Sequence, residues 1–255
     1  MSQNGSSELT YADLVDLSEA APLVIRATVK RQTALKPERS GNVAPGMARL
    51  YVEADTVALI SGSVPIGGTL KYLVDVPLDA KGKVPKLKNS DVILFAQSVP
   101  GRPSQIQLVD TSAQFLWNEA LEQRLRPILT DVLSPDKPAV VTGVRSVLSV
   151  PGNLVGESET QLFFETADNA PVSATVLRRP GQPPEWGVSW TEIVDQSASP
   201  VRPGTLNWYR LACSIPKTLP PGANLSQDGR SQAQAARDYQ FVIEQLGTCT
   251  RNRAK

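Results

Sequence analysis

The chain of 255 residues contains no histidine. That absence removes Ser-His-Asp and Cys-His nucleophile systems, which need an imidazole to take up the proton. It also argues against a zinc site of the usual His/Cys kind. Cysteine is almost as scarce: Cys213 and Cys249 are the only two, and they lie too far apart for a CxxC redox motif. No run of about 18 apolar residues occurs, so no membrane-spanning helix is predicted. The dinucleotide fingerprint GxGxxG and the phosphate loop are both missing. Gly152 to Glu157 (GNLVGE) has glycines, but no lysine and no following helix to hold a phosphate. No cofactor and no metal are expected.

What is present suits a folded, turn-rich chain. Hydrophobic residues at 41% suffice for a core, charged residues at 20% are few, and 21 prolines favour short strands over disorder. The net charge of +1 sets up no global field toward nucleic acid or anionic membranes, and nucleic acid is not an expected partner. The length admits one large or two modest domains. Residues 1–7 (MSQNGSS) are short and polar and read as a disordered start. They carry no signal peptide; they are either a native start or a replacement start joined to a mature exported chain.

The most regular stretch is residues 117–135, WNEALEQRLRPILTDVLSP. Trp117, Leu121, Leu125, Ile128 or Leu129, and Val132 recur at helical steps, with Asn118 as N-cap. Pro127 predicts a kink there, or two short helices. This linking helix separates two halves that read as β-structure.

In the first half, residues 8–116, Thr10 and Asp13 form a capping-box pattern ahead of Leu14, Val15 and Leu17. Strands follow at 23–33, 47–60, 69–76, 92–96 and 105–109, divided by Pro/Gly turns. In the second strand Leu50, Val52, Ala54 and Thr56 face one way, and Tyr51, Glu53 and Asp55 the other. Lys81, Lys83, Lys86 and Lys88 crowd the loop at 77–89. With few aromatic side chains available for base stacking, it reads as a solvated loop.

Five such strands suggest a small closed barrel. A short helix, then APLVIRATV (21–29), RLYVEADTVALISG (49–62) and KNSDVILFA (88–96), resembles the OB-like barrel of netrin and tissue-inhibitor-type modules. That resemblance covers about residues 8–110 and implies an OB-like fold in an exported protein. The modules' cysteines near the start are missing here, so protease inhibition is not implied. The whole chain is also similar to uncharacterised exported proteins of alphaproteobacteria. This implies a periplasmic or secreted location, with cytoplasmic as the alternative, and brings no activity with it.

The second half, residues 138–255, opens with a strand at 139–150. A hairpin follows, 159–166 with 172–179, joined by Ala-Asp-Asn-Ala-Pro. A strand is predicted at 186–194, and a strand or short helix at 206–213. A helix spans 232–246, with Ser231 as cap and Gly247 as stop. In an oxidising compartment Cys213 and Cys249 pair in a disulfide that anchors this helix; the alternative is two buried thiols in the cytosol. Trp186 and Trp190 share a strand face. With Trp208, Tyr209, Arg178, Arg179 and Arg210 they compose an aromatic, cationic groove for a glycan or peptide. Alternatively the tryptophans anchor the core and the arginines cap their edges. The acids Glu157, Glu159, Glu165, Glu185 and Glu192 lie near these aromatics, and two carboxylates suffice for glycoside hydrolysis.

The expected fold is therefore mainly β (α+β). It has an OB-like barrel at 8–116, a linking helix at 117–135, and a β-domain at 138–255 closed by a C-terminal helix. The expected function is a non-catalytic exported binding or envelope-associated protein whose ligand is an unknown protein, peptide or glycan. The alternative is a carboxylate-dependent glycan hydrolase using acids of the second half.

Overall fold

The structure, a computed structural model, describes residues 8–191 and 199–253. Residues 1–7, read as a disordered start, lie outside the described residues. The chain divides into two compact units, Met1–Ser134 with Asn252–Lys255, and Pro135–Arg251.

Unit 1 begins with helix α1, Tyr11–Ala20. Its start is the predicted capping box: the Asp13 N–H donates to the Thr10 hydroxyl at 3.1 Å, and the Thr10 N–H donates back to the Asp13 carboxylate at 2.9 Å. Leu14, Val15 and Leu17 are buried. Strand β1, Leu23–Ala34, the short helix α2, Pro37–Ser40, and strands β2, Met47–Ser61, and β3, Thr69–Pro77, come next. They are followed by β4, Asp91–Ser98, β5, Ile106–Leu108, and β6, Gln114–Leu116. The paired strands are antiparallel, in the order β3-β2-β1-β4-β5, with β6 also on β4. The predicted alternation of β2 holds: Leu50, Val52 and Ala54 are fully buried, while Tyr51, Glu53 and Asp55 are half-buried. In β4, Val92 through Ala96 are all fully buried, which explains their unbroken apolar run.

The closed barrel expected of this half is not what the sheet forms: among the described residues neither sheet closes. The chain at 103–111 does reach β3, through an isolated parallel bridge between Lys71 and Gln105 and bonds from the Lys71 N–H to the Ser104 carbonyl (2.9 Å) and the Asp75 N–H to the Thr111 carbonyl (2.6 Å). Strand β5 has only three residues. That is too short to carry a continuous ladder past the Pro100–Pro103 turn. On the far side of the sheet, Arg49 forks onto Asp75 with bonds of 2.7 and 2.8 Å and donates to the Ser40 carbonyl at 2.7 Å, pinning the loop between β1 and β2.

Helix α3 is Glu119–Leu133, capped by Asn118, whose side chain accepts the Leu121 N–H at 2.8 Å. It is one helix rather than two. Pro127 lies on its exposed side while Leu121, Leu125, Ile128, Leu129 and Val132 are buried. It belongs to unit 1 and packs on α1. The C-terminal residues return to the same unit. The N–H groups of Asn252 and Arg253 both donate to the buried Asp13 carboxylate at 3.1 Å. The Arg253 guanidinium reaches Asp110 at 2.5 Å and lies over the Phe115 ring at 4.9 Å.

Unit 2 is an antiparallel sheet in the order β10-β9-β8-β7. The strands are β7, Val141–Pro151, β8, Ser158–Thr166, β9, Ser173–Arg178, and β10, Glu185–Ser189. The strand predicted at 186–194 stops at Ser189, and residues 192–198, with Glu192 and Val194 among them, lie outside the described residues. Helix α4, Leu206–Ala212, resolves the strand-or-helix ambiguity: the Thr205 hydroxyl accepts the Trp208 N–H at 3.2 Å and starts a helix. Helix α5, Gly229–Leu246, begins earlier than predicted, because the Asp228 carboxylate, and not Ser231, accepts the free N–H groups of Arg230 (2.9 Å) and Ser231 (3.0 Å). It packs on β7 and β8 through Ala235, Tyr239, Val242 and Leu246. Cys213 and Cys249 form a disulfide, with an S–S distance of 2.07 Å and a Cα–Cα distance of 5.1 Å. No described helix is long and apolar enough to cross a membrane.

Candidate functional site

Five of the seven residues of the predicted groove fall into two groups in unit 2, and Trp190 and Arg179 lie apart from both. Strand register puts Trp186 opposite Val176, and Val176 opposite Thr160, so Trp186 faces the core under α5. Arg178, on the same face of β9, donates from Nε to Asp238 of α5 at 2.6 Å. The second group surrounds α4. The Trp208 indole N–H donates to the Leu246 carbonyl at 2.7 Å, and the Arg210 and Arg251 guanidiniums both lie 5.7 Å from the Tyr209 ring. Trp186, Trp208 and Tyr209 are 8%, 7% and 6% exposed, so they offer a ligand little stacking surface, and Arg210 is buried with them. Trp190 is half-buried just past the end of β10. Arg179 is exposed and paired with Glu185 at 2.9 Å.

Beneath α5 lies a polar cluster that periodicity does not reveal. The Thr160 hydroxyl donates to Asp238 and sits 2.9 Å from the Ser149 hydroxyl; Gln234 also donates to Asp238, at 2.9 Å. Thr160 and Asp238 are fully buried. Every partner of this carboxylate is a donor, so the group anchors the helix to the sheet. The only sequence signal was Asp238 on an otherwise apolar helix face.

Three of the acids considered for glycoside hydrolysis, Glu157, Glu159 and Glu185, have structural partners, and Glu165 is exposed on β8. The Glu157 carboxylate accepts the N–H groups of Asn153 (2.9 Å) and Leu154 (3.1 Å), folding the β7–β8 turn around itself. Glu159 and Glu185 both pair with Leu177, one on each side, so they share the sheet face opposite α5. Strands two apart are separated by about 10 Å. The two side chains diverge further, since Glu159 accepts from Gln161 at 2.9 Å while Glu185 turns to Arg179. An acid–base pair needs one carboxyl raised in pKa. Carboxyls elsewhere in the chain, Asp13, Asp55, Asp75, Asp91, Glu122 and Asp228, are held below the usual carboxylate range and are not acids of that kind. Two Ser-x-x-Lys spacings, Ser134 to Lys137 and Ser214 to Lys217, fall in turns and not on a helix.

Unit 1 holds a second network. Arg26 of β1 stacks over the Trp117 ring at 3.6 Å and donates to Asp91 at 2.6 Å, where the Thr28 hydroxyl also donates at 2.6 Å. The Trp117 indole N–H donates to Glu122 at 2.6 Å, and Arg126 pairs with the same carboxylate. Hydrogen bonds from Trp117 and then Arg126 hold Glu122 low, and Thr28 and Arg26 do the same for Asp91. These groups tie β1, β4 and α3 together.

The surface feature of unit 2 that remains is apolar. The turn closed by Glu157 projects Leu154 and Val155 outward, 63% and 98% exposed, beside the exposed Val150. Together they give the turn an apolar tip exposed to solvent. No cluster of three or more His, Cys, Asp or Glu able to hold a metal occurs among the described residues. No protein-family model matches the chain, and no curated protein shows a significant similarity to it.

Proposed function

We propose that this protein is a non-catalytic, exported binding protein of the cell envelope, and that its partner is a protein or peptide rather than a glycan. The observation behind the binding role is the β7–β8 turn. Its backbone is held by Glu157, and it presents Leu154 and Val155 to solvent with no covering group among the described residues. A preformed apolar tip binds without paying the ordering entropy of a loose loop. Glycan binding draws on stacking platforms, and burial of Trp186, Trp208 and Tyr209 weighs against it. The disulfide between Cys213 and Cys249 supports an oxidising compartment, periplasmic or extracellular. For unit 1, the strand order and the parallel Lys71–Gln105 bridge support an OB-like arrangement as the scaffold.

Site-specific photo-crosslinking in living cells tests this. A photoreactive residue at position 155 is expected to yield one discrete protein adduct. The same residue at the exposed Glu119 yields none, and a Leu154→Ser, Val155→Ser background removes the adduct. Equal labelling at both positions, or none at 155, would overturn the binding role. Free thiols at Cys213 and Cys249 in unreduced cells would overturn export.

A further inference from the structure

The loop between β3 and β4 concentrates four lysines, Lys81, Lys83, Lys86 and Lys88, with no acidic residue from 80 to 90. Its second half is anchored to β1. The Gln32 side chain of β1 clamps it twice, donating to the Pro85 carbonyl at 2.7 Å and accepting the Leu87 N–H at 2.5 Å. The Asn89 N–H bonds the Val29 carbonyl at 2.7 Å, and the Val29 N–H bonds the Ser90 carbonyl at 2.9 Å, so the segment continues the sheet edge of β1. Leu87 is buried between the exposed Lys86 and Lys88, which places both ammoniums on the solvent side. At the other end, the Asp79 carboxylate is occupied by the N–H groups of Lys81 and Lys83, both at 2.8 Å, and the turn closes through Gly82 at a φ of 70°. The nearest acid in sequence is therefore folded into the backbone. None of the four ammoniums has an ion-pair partner among the described residues. Arg31 of β1 is exposed as well, opposite Glu53 of β2, and its neighbour Lys30 is paired with Asp55 at 2.6 Å.

We infer that this strip docks unit 1 onto an anionic phospholipid surface. Lys86 and Lys88 flank the segment bonded to β1 and Lys81 and Lys83 lie in the turn before it, so the cations are spread along an anchored loop where they can meet several phosphates at once. The side chains are nearly all lysines, flexible point charges rather than the forks that read a single phosphate or carboxylate. No aromatic residue lies between 78 and 90 to stack on bases, which disfavours single-stranded nucleic acid. With a net charge of only +1 on the whole chain, attraction to such a surface depends on this local array. The inference uses none of the residues of the proposed partner-binding turn and stands or falls separately from it.

Vesicle co-sedimentation of the full protein tests it, with phosphatidylcholine vesicles made with and without phosphatidylglycerol. The protein is expected to pellet only with the anionic vesicles at low salt, and to be released as salt rises. Each lysine removed weakens partition on the order of fivefold. The K86Q/K88Q variant, which leaves the Asp79 turn intact, should lose about twentyfold, and K81Q/K83Q/K86Q/K88Q at least about hundredfold. K137Q/K217Q/R230Q/R237Q removes the same charge from exposed positions of unit 2 and should leave binding unchanged. Thermal melts establish that each variant folds. Failure of the unmodified protein to prefer anionic vesicles would overturn the inference, as would equal losses in the lysine and control variants. So would tighter, lysine-dependent binding to single-stranded DNA or dextran sulfate than to vesicles.

Discussion

Replacing Asp238 with alanine is expected to cost unit 2 about 3–4 kcal/mol. The carboxylate is fully buried and receives Arg178 Nε at 2.6 Å, Gln234 at 2.9 Å and the Thr160 hydroxyl. Hydrogen bonds to a charged group contribute roughly 1.5–3 kcal/mol each, which would sum to more. Two adjustments reduce the sum. Arg178 is 29% exposed and can turn its charge to water, and Thr160 keeps Ser149 at 2.9 Å as a partner. The loss remains a large share of the 5–15 kcal/mol typical of a folded domain (roughly). Urea unfolding followed by tryptophan fluorescence suits the measurement, because Trp186, Trp190 and Trp208 report on unit 2 and only Trp117 on unit 1. With a denaturant slope of about 1.5–2 kcal/mol/M, the midpoint should fall by roughly 2 M. Leucine at Arg178 alone strands the buried carboxylate and should cost a similar amount. The double variant then loses less than the sum, with a coupling of at least about 1.5 kcal/mol. A single-variant cost under about 1 kcal/mol, or a coupling under about 0.5 kcal/mol, would refute the assignment of this ion pair as the anchor of α5.

Acid should loosen unit 1. The Arg49 fork, against the opposing pull of burial, holds Asp75 below its ordinary 3.8, so the unfolded chain binds more protons at pH near 4. The stabilisation is complete above the unfolded value and is lost as pH falls through it toward the lower folded one. Urea melts read by circular dichroism across this range should show it, and D75N should be weaker at neutral pH with a flatter acid slope. Reducing the Cys213–Cys249 bond, which closes a separation of 36 residues, should lower unit 2 stability by about 4 kcal/mol in a C213S/C249S comparison; a change below about 1 kcal/mol would mean that the denatured state is not restrained by it. P127A should raise unit 1 stability by about 1–2 kcal/mol, because it restores a helix N–H on an exposed face of α3; a loss in thermal melts would show that the proline is needed there.

Local patterns were legible where one element decides them. The Thr10–Asp13 box, the alternation of β2, the stripe of α3 and the β8–β9 hairpin each follow from residues within a few positions of one another. Competing local signals caused the near misses: Asp228 outcompetes Ser231 as cap because its carboxylate reaches two free N–H groups, and Thr205 tips 206–212 into a helix. What the sequence hides is long-range. Trp117 reads as a core residue of the helix stripe, yet its ring carries the Arg26 guanidinium and its N–H serves Glu122. The Trp and Arg residues of unit 2 invite a groove because they are close in sequence and chemically apt, but strand register turns Trp186 inward and α4 buries Trp208. The docking of Asn252 and Arg253 on Asp13 spans 239 and 240 residues, and no periodicity could announce it.

That docking has a consequence for how the molecule is made. The Asn252 side chain also donates to the Glu8 carbonyl at 2.7 Å, so the first and last described stretches meet on one unit. Topologically, unit 2 is an insertion between residues 134 and 252 of unit 1. During synthesis the sheet of unit 1 emerges first, but Asp13 must hold its helix cap alone until all of unit 2 has left the ribosome. The earlier unit is therefore the later one to be completed. A circular permutant that joins residue 253 to residue 8 and opens the chain at 134 would make unit 1 contiguous and free it from that wait.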